Sequence, residues 1–221
     1  MKNALLISCK VFFFCLAFPL YFHAQTNTTT AGSDYYFYPV EGNNHWLKVK
    51  DGIQLSASEL ARSHKAQLGL GVHDELVNYQ IQEDNLGILH YRFQQYHKGI
   101  KVDGAILMMH EKEGKVFLIN GNWVPSMDAD ITVYLNETDA LSAALDQFPA
   151  EKYMWDSPEA ERLLKRVKRD PDATFYPQPE QVLIDPGLNQ LTDCYQMAYR
   201  MEIHTLKPLE TRKQVYVDAA D

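Results

Sequence analysis

The sequence predicts an α+β chain made of two consecutive small units, each an antiparallel sheet covered by a helix. Three observations carry that expectation. Between residues 88 and 123, apolar and polar residues alternate with the period of two that strands require, interrupted by two glycine-bearing turns. After Asp128 the same order returns, with a capped helical segment followed by alternating runs. Aromatic residues make up 12% of the chain, enough to build cores without disulfide staples.

Residues 1–24 read as a secretory signal. Lys2 and Lys10 precede an apolar run from Val11 to Phe22, and Ala24 offers a small residue before Gln25. That run is shorter than the roughly 20 apolar residues of a spanning helix; an uncleaved anchor is the alternative. Cleavage would remove both lysines and no acid, taking the formal charge from −8 to −10. Such a surface disfavours nucleic acid and, once the signal has gone, anionic membrane. Of three cysteines only Cys194 would remain, so neither an internal bridge nor a cysteine zinc site is available. Residues 25–52 form a leader, small, polar and aperiodic at its start.

The first unit spans 53–125. Ser56 and Glu59 have the spacing of a capping box, and Leu55, Leu60, Ala61 and Leu68 share a helical face that Gly69 and Gly71 terminate. Val77 to Gln82 alternates. Ile88 to Tyr96 then forms a strand with Leu89, Tyr91, Phe93 and Gln95 on one face and Ile88, His90, Arg92 and Gln94 on the other. A turn at His97-Lys98-Gly99 leads to a second strand, Ile100 to His110, where Gly104 marks a bulge or a close backbone approach. A tight turn, Glu111 to Gly114, leads to a third strand, Lys115 to Trp123.

The second unit spans 128–221. A short strand is expected at Ile131 to Leu135, then a helix capped by Asn136 with Ala140, Leu141, Ala144, Leu145 and Phe148 at three- and four-residue spacing. Ser157-Pro158 opens another helix, running to about Lys168. Gln181 to Ile184, Cys194 to His204 and Lys213 to Val217 read as strands, which puts Cys194 in a core strand as a small apolar residue.

Residues 91–124 resemble the fungalysin/thermolysin propeptide domain. The residues that carry the resemblance are Tyr91, Arg92, Gln94, Gln95, Tyr96, Gly99, Ile100, Val102, Gly104, Gly114, Asn120 and Gly121. The second unit is similar to the PepSY-like peptidase propeptide domain that follows it in thermolysin-like precursors. The resemblance implies two cystatin-like units, the second cut short at its C-terminus because the family pattern continues past Val217-Asp218-Ala219. It also implies a secreted pro-region acting as intramolecular chaperone and inhibitor of a metallopeptidase catalytic domain in cis. Zinc would be held by that absent domain and no cofactor by this chain. The family residues above would define fold and docking rather than catalysis. A freestanding inhibitor or chaperone acting in trans, or a cell-envelope binding module, are the rivals.

The residues themselves offer no catalytic constellation. A zincin needs His-Glu-x-x-His on a helix, and the nearest segment, His110-Glu111-Lys112-Glu113-Gly114, lacks the second histidine and lies at a strand-turn junction. His90, His97 and His110 could approach across a hairpin, but scattered surface or core-edge histidines are the simpler reading. No G-x-S-x-G elbow is present. The cations Lys165, Arg166, Lys168 and Arg169 suit a helix C-terminus through the helix dipole, with a protease-sensitive site as the functional alternative.

Overall fold

A computed structural model describes residues 11–12, 36–41, 43–187 and 194–219, the side chains of 11–12 and 43–45 excepted. The fold is mixed α and β, mostly sheet with few helices. The chain divides into two compact units, one drawn from residues 20–129 and 183–195, the other from 1–19, 130–182 and 196–221. The start of the expected 25–52 leader, residues 25–35, and nearly all of the expected signal segment lie outside the described residues, whereas most of the rest of that leader is described and contains two strands. In the signal segment Val11–Phe12 (β1) is the exception.

The first unit holds strands β2 (Phe37–Val40), β3 (Asn43–Val49), β4 (Asp74–Glu83), β5 (Leu89–His97), β6 (Ile100–Lys112) and β7 (Lys115–Gly121), with helix α1 (Ala57–Ser63). The strands pair antiparallel in the order β4-β5-β6-β7-β3-β2. Both hairpin turns have positive φ at their two central residues, Lys98 and Gly99 in one and Glu113 and Gly114 in the other. That backbone follows the right-handed twist of the strands it joins.

Helix α1 starts where the capping box puts it. Ser56 N–H donates to Glu59 Oε2 (2.9 Å), and Glu59 N–H donates to Ser56 Oγ (3.3 Å). It is shorter than its periodicity suggests. The α-helix stops at Ser63, a 3₁₀ turn covers Lys65–Leu68, and Gly69 at φ 76° ends it. Ala57, Leu60 and Ala61 pack with Leu68, Phe93, Leu107, Met109, Val116 and Ile119 into one core. Each large apolar side chain buried there contributes roughly 1.5–3 kcal/mol. Strands β2 and β3 are additions to the expected layout. Pro39 weakens the strand signal, and β2 lies at the sheet edge, where proline is tolerated.

The second unit contains α2 (Glu137–Gln147), β8 (Lys152–Tyr153), α3 (Pro158–Lys168), β10 (Gln196–Lys207) and β11 (Thr211–Asp218). Strand β9 (Glu180–Ile184) neighbours β10. Asn136 caps α2 by accepting from Asp139 N–H (2.9 Å), and Ser157 caps α3 through Ala160 N–H (3.4 Å). Helix α2 lies against β10 and β11 with Ala140 and Ala144 buried. β10 buries Met197, Tyr199, Met201 and Ile203, and β11 buries Val215 and Val217. β1 adds Val11 opposite Val217 and Phe12 opposite Tyr216.

Two expectations for this unit are corrected. Residues 131–135 form no strand. Asp130 Oδ1 accepts from both Thr132 N–H (2.9 Å) and Thr132 Oγ1 (2.6 Å), and this local turn competes with extended pairing. Tyr134 and Leu135 N–H instead both reach Ala219 O. Cys194 is exposed and precedes β10, which begins two residues later, so it is no core residue.

Candidate functional site

The residues of the recognised motif converge on the first unit's sheet, and most of their polar atoms turn inward. Gln95 is fully buried on the α1 face of β5. Its Oε1 accepts from Val124 N–H (2.8 Å) while its Nε2 donates to Val124 O (2.9 Å), so one amide completes both halves of a backbone pair. This ties the segment after β7 to the middle of the sheet. Trp123 Nε1 donates to Leu68 O (2.9 Å) and Ser126 N–H to Gly69 O (2.8 Å), closing the same segment over the end of the 3₁₀ turn.

Asp74 sits beside Gln95, almost fully buried at the start of β4. One carboxylate oxygen accepts from Gly71 N–H (2.7 Å), the other from His97 Nδ1 (2.8 Å) and, at 3.4 Å, from Gln95 Nε2. Lys65 Nζ donates to the Asp74 carbonyl. A carboxylate with this many donors is stable where an unpaired one would be costly. His97 Nε2 and Arg92 Nη1 are buried with no partner among the described residues.

Gln94, the neighbouring motif residue, fills a different need. Between Gln94 and Tyr96 the β5–β6 register jumps, with Gln94 opposite Ile106 and Tyr96 opposite Lys101. β6 therefore bulges, with Gly104 at φ 74° inside it. Gln94 Nε2 donates to Val102 O (2.7 Å) and Ala105 O (3.1 Å), satisfying carbonyls the ladder leaves free. Val102 is fully buried in the same bulge. Of the two roles expected for Gly104, the structure shows the bulge. The close approach belongs to Gly121, where a Cβ would meet Ile106 O at 2.1 Å. Tyr96 is half-buried opposite Glu75, and Gly99 and Gly114 occupy the hairpin turns.

On the opposite face lies a polar chain. His90 Nε2 lies 3.2 Å from Asp84 Oδ2, His90 Nδ1 lies 2.6 Å from His110 Nδ1, and His110 Nε2 lies 2.6 Å from Asn120 Oδ1. The Trp46 ring lies parallel to His110, and Phe117 packs beside it. Burial pushes the His110 imidazole below its ordinary pKa, and the charges of His90 and Arg92 push the same way against the bond to Asn120. His97 belongs to the Asp74 node, so the three histidines do not converge. Among the described residues no three His, Cys, Asp or Glu side chains are placed to hold a metal ion.

Glu111, read from sequence as part of an exposed turn, is buried. Its Oε2 accepts from Ala57 N–H (2.7 Å) at the start of α1, and Tyr91 OH donates to its Oε1 (3.3 Å). A second carboxylate thus joins the capping box in satisfying the helix's orphan amides. Burial, and then the Glu111 charge, push the Tyr91 phenol up. Sequence reasoning missed Asp74, Glu111 and Trp46. For the two acids the available signal was a place near a strand end three residues from a glycine, which solvated turns share.

By sequence the chain matches one family model and several proteases. Residues 74–123 match the family described as Fungalysin/Thermolysin Propeptide Motif. Thermolysin from Alicyclobacillus acidocaldarius subsp. acidocaldarius is 26% identical over 155 residues, 70% of this chain and 26% of the relative. Thermolysin from Bacillus caldolyticus gives the same figures. Thermostable neutral protease NprT from Geobacillus stearothermophilus is 37% identical over 62 residues, 28% of this chain and 11% of the relative. The chain therefore spans about a quarter of the length of the thermolysins it matches. The segment that begins at buried Asp74 and ends at Trp123 is thus the part of the chain that matches the FTP propeptide motif.

Proposed function

We propose that this chain is the pro-region of a secreted thermolysin-like zinc metalloendopeptidase precursor, acting as chaperone and inhibitor of a catalytic domain in cis. The observation that carries the reading is the use made of the motif residues. Gln94, Gln95 and Gly121 serve backbone closure, and none is arranged to attack, protonate or polarise a substrate. A prefolded sheet presented to another folded body needs no reactive centre, and preorganisation lowers the entropic cost of binding. On this reading zinc belongs to the partner. Residues 128–221 are the PepSY-like second propeptide domain, the two units are cystatin-like, and residues 1–24 are the export signal.

The test is a purified full chain added to an active thermolysin-like catalytic domain, and separately to that domain during refolding from denaturant. Tight, saturable inhibition with a higher yield of refolded activity is expected. Neither effect at concentrations well above a typical interface affinity would reject the reading and favour a cell-envelope binding module. Inhibition by the separate chain would also serve a freestanding inhibitor acting in trans, and the reading frame after Asp221 distinguishes that case.

A further inference from the structure

We infer that the C-terminal end of α3, Lys165 to Arg169, is a processing site at which a serine endopeptidase of basic specificity severs this chain. Residues 165–172 are all exposed, and α3 has no buried side chain. Val167 is 72% exposed and Leu163 58%, although both are apolar, so little burial holds the last turns in place. The helix is tied chiefly at its start, where Glu161 Oε1 accepts from Phe175 N–H (2.8 Å) and Thr174 Oγ1 (3.2 Å). Beyond Leu164 the last bonds are backbone turns, Arg169 N–H to Arg166 O (3.3 Å) and Asp170 N–H to Lys165 O (3.1 Å). An element with few buried contacts opens locally at low free energy.

Charge makes the opened segment selective. Five cations, Arg162, Lys165, Arg166, Lys168 and Arg169, fall within eight residues of a chain with net charge −8. One or two would suffice for the helix dipole, which is felt only over the last turn. Arg169 also lies past the helix, in a left-handed conformation at φ 54°. A protease with a carboxylate at the base of its specificity pocket takes Lys or Arg there.

Many of the competing sites are poor substrates. Every Lys and Arg after Lys10 lies among the described residues. Lys98 sits inside one two-residue hairpin turn, Lys112 and Lys115 flank the other, Lys48 and Arg212 lie in paired strands, and Arg62 lies on α1, whose other face is in the core. Lys207 is followed by Pro208, which blocks such enzymes.

In the step itself water adds across the amide after the basic residue. The C–N bond breaks, the carbonyl carbon becomes a carboxylate, and the next nitrogen leaves as a protonated amino terminus. Its use for discarding a spent pro-region rests on the proposed function, whereas the cleavage does not.

The experiment is limited digestion of the purified full chain by trypsin and, in parallel, by the broad-specificity protease subtilisin, with fragments identified by intact mass. The first trypsin cut is expected after one of residues 165–169, about tenfold faster than at any other basic residue, and the first subtilisin cut within α3 or the residues just after it. A chain carrying Lys165→Gln, Arg166→Gln, Lys168→Gln and Arg169→Gln should lose the trypsin cut and keep the subtilisin cut. A first trypsin cut at another basic residue, or a first subtilisin cut outside α3 and the following loop, would overturn the inference. Failure of the inhibition test would leave these outcomes unchanged.

Discussion

Gln95→Ala offers the sharpest test of how the sheet is held. The side chain is fully buried and makes two short bonds, 2.8 and 2.9 Å, to the N–H and C=O of Val124. Each is worth about 1 kcal/mol net, and leaving both Val124 groups facing a void adds about 1 kcal/mol. The sum is about 3 kcal/mol, a large share of the roughly 5–15 kcal/mol that keeps a domain folded. For a chain of this size that loss lowers the melting temperature by roughly 6–12 °C. Thermal melts followed by tryptophan fluorescence report on it directly, since Trp123 is fixed by the segment Gln95 clamps. Gln82→Ala, at an exposed position on β4, is the control and should stay within about 0.5 kcal/mol of the parent. If Gln95→Ala melted alongside Gln82→Ala, the amide clamp would not be what ties the end of β7 to the sheet.

Gly121→Ala should destabilise by well over the roughly 1 kcal/mol of an ordinary glycine replacement, because its Cβ would sit 2.1 Å from Ile106 O and the residue has φ 135°; urea unfolding at matched slope measures it, and a change within error would contradict the close approach. Acid should weaken the fold through His110. Burial holds its folded pKa below the ordinary 6.5, so as pH falls the unfolded chain takes up the proton first, and stability present above about 6.5 is lost below it. The urea midpoint should therefore fall between about pH 7.5 and 5, and less steeply in His110→Gln; equal slopes would remove His110 from the account.

What could be read from sequence was what local chemistry determines. The Ser56–Glu59 box, the Asn136 and Ser157 caps and the turn at Lys98-Gly99 each depend on neighbours a few residues apart and are found where expected, whereas the second turn is shorter than expected because Glu111 and Lys112 continue β6. The aromatic face of β5 was legible because a period of two leaves only one alternative. Nonlocal pairings were not legible. β3 owes its existence to β7, some seventy residues away, and Pro39 hides β2. Asp130 shows the converse, where a side chain bonding two residues ahead replaces an apparent strand. Acids were the hardest to place. Glu111 and Asp74 resemble solvated turn residues in sequence, yet both are buried because a helix N-terminus or a glycine amide needs an acceptor there.

The buried acceptors bear on function as well as fold. Gln94, Gln95, Asp74 and Glu111 have their partners within the chain. Their effect is rigidity in the sheet, and α3 contrasts with them by burying no side chain. A body that templates and blocks another protein must hold one shape long enough to bind, yet it must also be removable once that protein is folded. Stiffness concentrated in residues 74–123 and weakness concentrated at 165–169 would meet both requirements in one chain. If the chain inhibits a catalytic domain as proposed, Gln95→Ala should weaken that inhibition as well as stability, because a loosened sheet must be reordered on binding and that entropy is subtracted from the affinity.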